Sequence, residues 1–474
     1  MSQLLTIAKD EWRFWLRSRL ALWGIGVFGV LLIATSVLTA MQVSESQHER
    51  THSQHEAEKR FVSQPARHPH RMVHYGHYVF RTPAPLAIFD PGLDSVTGQS
   101  IFLEGHRQNS ETFASAGSSA NLGGLSWLTP ALVYQLFGAL LFVLLGYGAI
   151  VREREAATLP TILLHGVSGA KLVFGKWLAL FILGLAAVLP LFVVAQIAEG
   201  LLAALSLAAT YLIYLMLWAS VTLFLSTVIR GRAGVLTAAT AVWLSVCLLI
   251  PSLAVDIVSR NTAQAGKIEN DLALLVDMRK LGDGHNASDP AFASIRANLL
   301  AQYDVESVEE LPVNFRGVVA VASEEKLTAT LNAYATTRMD GELLQARRLD
   351  QFGWLSPMLA VAAASRAMSG TDIEHYHRFL RDAETLRYEF VQALNNIHAT
   401  QIAYSDDIKR SADARAEKRS RASADNWQLL DDFQFEPAAL TARFEAATPA
   451  LVSLMTWSVA LLGLLLWAGR RLAP

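Results

Sequence analysis

The chain has little cysteine, little charge and no excess of basic residues, and each shortage removes a class of protein. Cys247 is the only cysteine among 474 residues and lies inside an apolar run, which excludes a disulfide framework within the chain and any zinc site built on thiolates. Charged residues make up 17% and hydrophobic ones 52%, too few and too many for an ordinary soluble domain. A net charge of −2 supplies no basic field, so nucleic acid is not an expected partner. A phosphate-binding loop is missing as well. The nearest approach to G-x-x-x-x-G-K-[ST], Gly169 to Lys176, spaces its glycines one residue too far apart, has Trp177 where Ser or Thr belongs, and runs straight into an apolar helix. Any ATP, with its magnesium, would therefore be handled by another chain. Gly-x-Ser-x-Gly is also absent, and no catalytic or cofactor-binding residue is assigned.

What is present is a set of long apolar runs. A bilayer core of roughly 30 Å needs roughly 20 apolar residues at helical rise. The chain supplies such runs from Leu20 to Met41, Ala131 to Val151, Trp177 to Ile197, Leu201 to Ile229, Ala233 to Val258 and Ala450 to Ala468. The expected fold is an all-α membrane protein with six transmembrane helices, an N-terminal interfacial helix and two exterior insertions, the second mainly helical. By residue number, 1–19 is the interfacial helix, 20–41 the first span and 42–129 the first exterior segment. The second span is 130–151, a cytoplasmic element covers 152–176, and spans three to five cover 177–258. The second exterior domain is 259–449, the sixth span 450–469 and the tail 470–474. Ala198, Glu199 and Gly200 leave room only for a tight turn between spans three and four, and Pro190 is expected to kink the third.

Orientation follows from the short flanks. Lys9, Arg13, Arg17 and Arg19 precede span one, and Arg152, Arg154, Lys171 and Lys176 separate two from three. Arg230 and Arg232 join four to five, and Arg470 and Arg471 follow six. All four clusters fall on one side if both termini are cytoplasmic, which puts the protein in the cytoplasmic (inner) membrane with its long segments outside. A cleaved signal peptide is the alternative at the N-terminus, but the apolar run is longer than such a region needs, and Leu38 and Ala40 make a poor cleavage site. Leu4, Ala8, Trp12 and Trp15 share one helical face with Arg13 and Arg17 off it, the pattern of a helix lying in the membrane interface against lipid.

The first exterior segment reads as helical from Ser44 to Arg60 and then as a small irregular cap with turns at Thr82-Pro83, Asp90-Pro91-Gly92 and Gly123-Gly124. In the second, Ile268, Leu272, Leu275 and Met278 keep helical spacing, as do the apolar positions from Tyr376 to Ile397, with Thr371 and Glu374 as a capping box. Phe352 to Met368 reads as an amphipathic segment against the membrane or the core, with a seventh span as the alternative. Asp256 is close enough to the outer interface to reach water. Seven of the thirteen histidines lie between His48 and His77. His48, His52 and His55 share a helical face and could hold a metal, but the surrounding Glu45, Glu49, Glu56, Glu58, Lys59 and Arg60 favour a solvated helix, so no metal is assigned. His375 and His377 are expected on the surface of their helix.

The densest cytoplasmic element is Arg152-Glu153-Arg154-Glu155-Ala156-Ala157-Thr158-Leu159-Pro160, a short apolar stretch to Leu164, and then Gly175-Lys176-Trp177. A plain loop rarely carries so many buried-type residues; the pattern suits a compact element docking in a partner's cleft. It resembles the permease subunits of type 2 ABC exporters, in which the segment after the second helix similarly reads E-R-E-x-x-T-L, then a short helix, then G-K. The resemblance extends to His74-Tyr75-Gly76, Pro83-Ala84-Pro85-Leu86, Phe89-Asp90-Pro91-Gly92 and Ile101 to Asn109, and to Ser356-Pro357, Gly370-Thr371-Asp372 and Ala383 to Asn395. These are similar to a bacterial subgroup with a domain of unknown function and two large exterior insertions.

The resemblance implies a permease with a second permease copy or a sister permease beside it in the lipid, and cytoplasmic ABC ATPase subunits that hold ATP and magnesium. It implies an ATPase-coupling role for Arg152, Glu153, Arg154, Glu155, Thr158, Leu159, Gly175 and Lys176. Export of a substrate is the expectation. One alternative is a mechanotransmitting subunit that acts on an exterior, periplasmic partner without transporting anything; another is a membrane-anchored sensor or assembly protein.

Overall fold

The computed structural model describes residues 3–94, 96–111, 128–428 and 433–472. Among them, six helices are long and apolar enough to cross a bilayer, and the rest of the chain is mostly helical too. The Gly123-Gly124 turn lies outside the described residues.

Helix α1 (Gln3–Arg17) buries Ala8, Glu11 and Trp15. Its Ala8–Trp12–Trp15 face lies on the third span, while Leu5 and Leu16 stay exposed. Arg19, in the left-handed region at φ 57°, turns the chain into α2 (Leu20–Val62), a 43-residue helix. At 1.5 Å per residue α2 is about 65 Å long, roughly twice the bilayer core. The span and the helix expected from Ser44 to Arg60 are thus one rod, projecting far beyond the membrane. Its projecting half is held sideways: the buried Arg50 donates to the Arg81 carbonyl at 2.5 Å, and Gln54 accepts from the Phe80 amide at 2.9 Å.

Beyond α2 the segment contains helix α3 (Pro69–Tyr75) and a three-stranded antiparallel sheet of β1 (His77–Phe80), β2 (Ser100–Glu104) and β3 (Arg107–Gln108). His77 pairs with Leu103, Phe80 with Ser100, and Glu104 with Arg107, so Gly105-His106 forms a two-residue hairpin turn. The sheet corrects the expectation of an irregular cap. Its strands are too short to show a period-2 pattern, and they are stabilised by packing of Val79, Ile101 and Leu103 on a distant helix.

The second span, Pro130–Glu155, carries a π turn at Val133–Gly138 and ends in α4 (Val151–Glu155). After α5 (Thr158–Leu164) come α6 (Gly169–Glu199) and α7 (Leu201–Val228), spans three and four, an antiparallel pair turning at Gly200 with φ 94°. Helix α6 continues through Pro190. The fifth span, Arg232–Asn261, has a second π turn at Ser245–Leu249. The second and fourth spans form the centre of the bundle, with 72% and 61% of their most apolar windows buried; the first and fifth have only 22% and 17% and face outward.

Between the fifth and sixth spans lie α8 (Lys267–Met278), α9 (Phe315–Gln351), α10 (Pro357–Ser369) and α11 (Ile373–Gln401), before α12 (Leu440–Arg470) makes the sixth span. Helix α10 has 13 residues, about 20 Å, too short to cross; it is buried against α7 and α12. Helix α11 is capped by Asp372, whose carboxylate accepts from the His375 amide at 3.0 Å. Thr371, the expected cap, instead donates to the Asp90 carbonyl at 3.0 Å. His375 and His377 are buried, a second correction: α11 is covered on one side by α9 and on the other by Phe433 and Phe435. Asp256 is exposed and paired with Arg260 at 2.9 Å.

Candidate functional site

The four short basic clusters gather at one end of the bundle, and there the residues of the 152–176 element meet. Ala157, left-handed at φ 56°, reverses the chain between α4 and α5, a conformation that costs a non-glycine residue about 1 kcal/mol. The reversal brings the Thr158 hydroxyl back onto Glu153, 2.6 Å from Oε2 and 3.2 Å from its carbonyl. Leu159 is buried. Ser226 on α7 accepts from the Ile150 and Val151 amides at 3.1 and 3.2 Å, satisfying the donors that the start of α4 leaves free.

The R-E-R-E run divides into two pairs with different tasks. Arg152 and Glu153 point to α1 and α6. Glu11 Oε2 accepts from Arg152 at 2.7 Å and from Lys176 Nζ at 2.5 Å, and Glu153 Oε1 lies 3.3 and 3.1 Å from the same two cations. Two carboxylates and two cations make a neutral four-residue cluster, with Glu11 1% and Lys176 2% exposed, and the Arg152 guanidinium lies 3.5 Å from the Phe14 ring centre. Arg154 and Glu155 point the other way. Arg154 donates to the Thr227 and Ile229 carbonyls at 2.8 and 3.0 Å, closing the C-terminus of α7. Glu155 accepts from the Arg232 amide at 2.9 Å at the start of the fifth span and pairs with its guanidinium. One short segment thus ties the N-terminal helix, the third span and the turn between spans four and five into a single unit.

Gly175 explains how α1 comes so close. A Cβ there would sit 2.7 Å from Ile7 Cβ and Cγ2, so only glycine lets α1 lie flat on α6. Between α1 and α5 remains a cleft of about 550 Å³, lined by Ile7, Asp10, Arg13, Ile162, His165 and Lys176. Helix α5 turns Thr161, Leu164 and His165 outward, with Leu164 77% exposed. All eight residues singled out in the sequence therefore belong to this unit. Glu11, Phe14 and Ser226 were missed; the signal for Glu11 was there, since it falls between Ala8 and Trp15 on the apolar face of α1, where an acid needs a partner.

A second polar feature lies at the opposite end. Gln135 donates to the Tyr211 hydroxyl at 3.0 Å, Tyr211 to Ser365 at 2.9 Å, and Ser365 to Asp90 at 2.5 Å. Asp90 is buried, which pushes its carboxyl above the ordinary value, and the chain links the Phe89-Asp90-Pro91-Gly92 loop to the centre of the bundle. A larger cleft of about 870 Å³ lies away from both, between β2 and helices α8, α9 and α11. His48, His52 and His55 are exposed on α2, and none belongs to a group of converging metal-ligand atoms among the described residues. His68 and His398 each place Nε2 on a different oxygen of the buried Asp407, at 3.1 and 2.9 Å, tying the two long segments together.

The fold and the site together define a polytopic helical membrane protein whose N-terminal helix and first intervening loop form one polar unit at one end of the bundle. The family model described as ABC-2 family transporter protein matches residues 5–276, more than half of the sequence, and the chain belongs to that family. A second model, for a domain of unknown function, DUF3526, matches residues 267–436 between the fifth and sixth spans. No curated protein and no solved structure is matched. The protein is thus a multi-pass membrane permease subunit of an ABC transporter, from a family that works with an ATPase partner.

Proposed function

We propose that this permease couples ATP hydrolysis in cytoplasmic ATPase subunits to export of a substrate across the inner membrane, through the unit built by Arg152, Glu153, Arg154, Glu155, Thr158, Leu159, Gly175 and Lys176. The observation that carries this reading is the double attachment of the R-E-R-E run: displacing α5 pulls α1 and α6 through the Glu11–Arg152–Glu153–Lys176 cluster and the turn between spans four and five through Arg154 and Glu155. The basic clusters at this end favour a cytoplasmic location for it and for both termini. ATP and magnesium are held by the partner chains. The outward apolar faces of the first and fifth spans, with Trp23 and Val255 exposed, are surfaces for lipid and for a second permease copy or a sister permease.

A second reading draws on α2. One unbroken rod from the α1 junction to the sheet can carry a movement outside without opening a path for substrate, which would make the protein a mechanotransmitter acting on an exterior partner. Co-expression with the ATPase encoded beside it tests the shared premise. A stable complex is expected whose ATP hydrolysis falls when Glu153 is replaced by Ala. Failure of any ATPase to co-purify in mild detergent would refute it and favour a sensor or assembly protein. Transport into inverted vesicles then separates the exporter from the mechanotransmitter.

A further inference from the structure

Four imidazoles that are scattered in the sequence converge on one point outside the bundle. His70 and His74 are one turn apart on α3 and so share a face. His106 sits in the hairpin turn between β2 and β3. His285 comes from the loop after α8, on the other long segment. Their candidate ligand nitrogens all lie within 4.8 Å of one another. The ring centres are separated by 4.8 Å for His70–His74, 5.7 Å for His70–His106, 5.1 Å for His70–His285, 5.2 Å for His74–His106, 6.0 Å for His74–His285 and 4.8 Å for His106–His285. Four imidazoles bound tetrahedrally to a zinc ion at about 2.0–2.1 Å have ring centres about 5 Å apart. The near-equality of all six separations is the signature of a tetrahedron and is not produced by a row of stacked side chains.

We propose that His70, His74, His106 and His285 form a binding site for a first-row transition-metal ion of the zinc class. The support around His106 fits that role. It adopts the left-handed conformation at φ 67°, a strained geometry for a non-glycine residue. Its Nδ1 is 3.0 Å from Glu324 Oε2 and its backbone amide donates to the same oxygen at 3.2 Å. Glu324 is fully buried and is itself held by Arg387 at 2.5 Å. A carboxylate on one ring nitrogen fixes the tautomer and leaves the other nitrogen as the ligand, the usual outer-shell arrangement of metal-bound histidine. His106 Nε2 is that other nitrogen, and it is buried without any hydrogen-bond partner. On His285, Asp283 Oδ1 lies 3.4 Å from Nδ1 and accepts from the backbone amide at 3.0 Å. A ligand set of imidazoles without thiolate or carboxylate suits zinc, copper(II) or nickel.

The ion would staple the segment between spans one and two to the segment between spans five and six, and this inference stands independently of the coupling proposal. The test uses the full chain in detergent, purified without a polyhistidine tag, stripped with chelator and dialysed against micromolar free zinc. The site predicts a single zinc ion per chain by elemental analysis and, by X-ray absorption, a first shell of four nitrogens at about 2.0 Å. His74 and His285 are exposed, so the H74Q/H285Q double variant should elute as the wild type does and lose the ion, whereas H48Q/H52Q/H55Q should keep it. A wild type that retains no zinc, or a double variant that retains as much as wild type, overturns the proposal. If the double variant elutes as aggregate, the absorption spectrum of the wild type decides alone: an oxygen-dominated shell refutes the site.

Discussion

Glu11→Gln is the most informative single change, because it removes one charge from a buried cluster that is neutral only as a set of four. The side chain is 1% exposed and accepts from two cations within 2.7 Å. Loss of a partner from a buried ion pair costs about 3–5 kcal/mol. The amide keeps the shape and one acceptor, and Glu153 remains within 3.3 Å of both cations, so the low end, about 3 kcal/mol, is expected. Lys176→Met should cost a similar amount, since it leaves two carboxylates sharing Arg152. The two losses should not add: with Lys176 gone, Glu11 has less to lose, and the double variant should recover about 1–3 kcal/mol relative to the sum. Reversible unfolding of the full chain in mixed micelles gives all four corners of the cycle. The exposed Asp256–Arg260 pair, cycled in the same way, should show no measurable coupling. Additivity at Glu11 and Lys176 would refute the claim that α1 and α6 are joined through these charges.

Gly175→Val should destabilise the chain by about 1–3 kcal/mol through overpacking, and Ile7→Ala should restore most of the loss, read as unfolding midpoints. Replacing Ala157 by Gly should leave stability unchanged or raise it by up to about 1 kcal/mol, whereas Ala157→Val should lower it, because φ is 56° there. His375 is buried beside Phe435 with neither ring nitrogen bonded, and burial, with the charges of Arg81, Arg443 and Arg378, pushes it down to about 3. Its folded value lies below its unfolded one, so its contribution is full above about pH 6.5 and declines as the pH falls, costing about 2 kcal/mol at pH 5. His375→Phe should therefore flatten the acid limb of a stability profile between pH 7 and pH 5; an unchanged slope would assign that limb to other groups.

The spans were legible because six apolar runs of bilayer length leave few other folds, and the short basic flanks were legible as groups before they were seen at one end of the bundle. The unit built on Arg152 to Lys176 was legible as a set of residues but not as an arrangement: nothing in Arg152 to Glu155 shows that the first pair faces α1 and the second faces the turn between spans four and five, since both destinations are remote in sequence. Strands β1 to β3 were missed because four- and five-residue strands depend on the partner they pack on, and that partner, α11, follows almost 300 residues later. His375 and His377 were misplaced for a related reason. Local pattern assigns one buried face to a helix, and α11 is covered on both sides. The histidine cluster was out of reach because two of its members are separated from the other pair by long stretches of chain, whereas the regular i, i+4, i+7 spacing of His48, His52 and His55 drew attention to a solvated face.

The central claim, that the α4–α5 unit is the point of engagement for the ATPase, is tested most directly by cross-linking. Cys247 is buried, so a cysteine at Leu164, which is 77% exposed on α5, would be the reactive thiol in the purified complex. A short bifunctional cross-linker should join Leu164→Cys permease to the ATPase subunit, with a yield that changes when ATP is added, and should leave Ile197→Cys, 81% exposed at the other end of the bundle, unjoined. Equal yields at the two positions, or none at Leu164, would contradict the account.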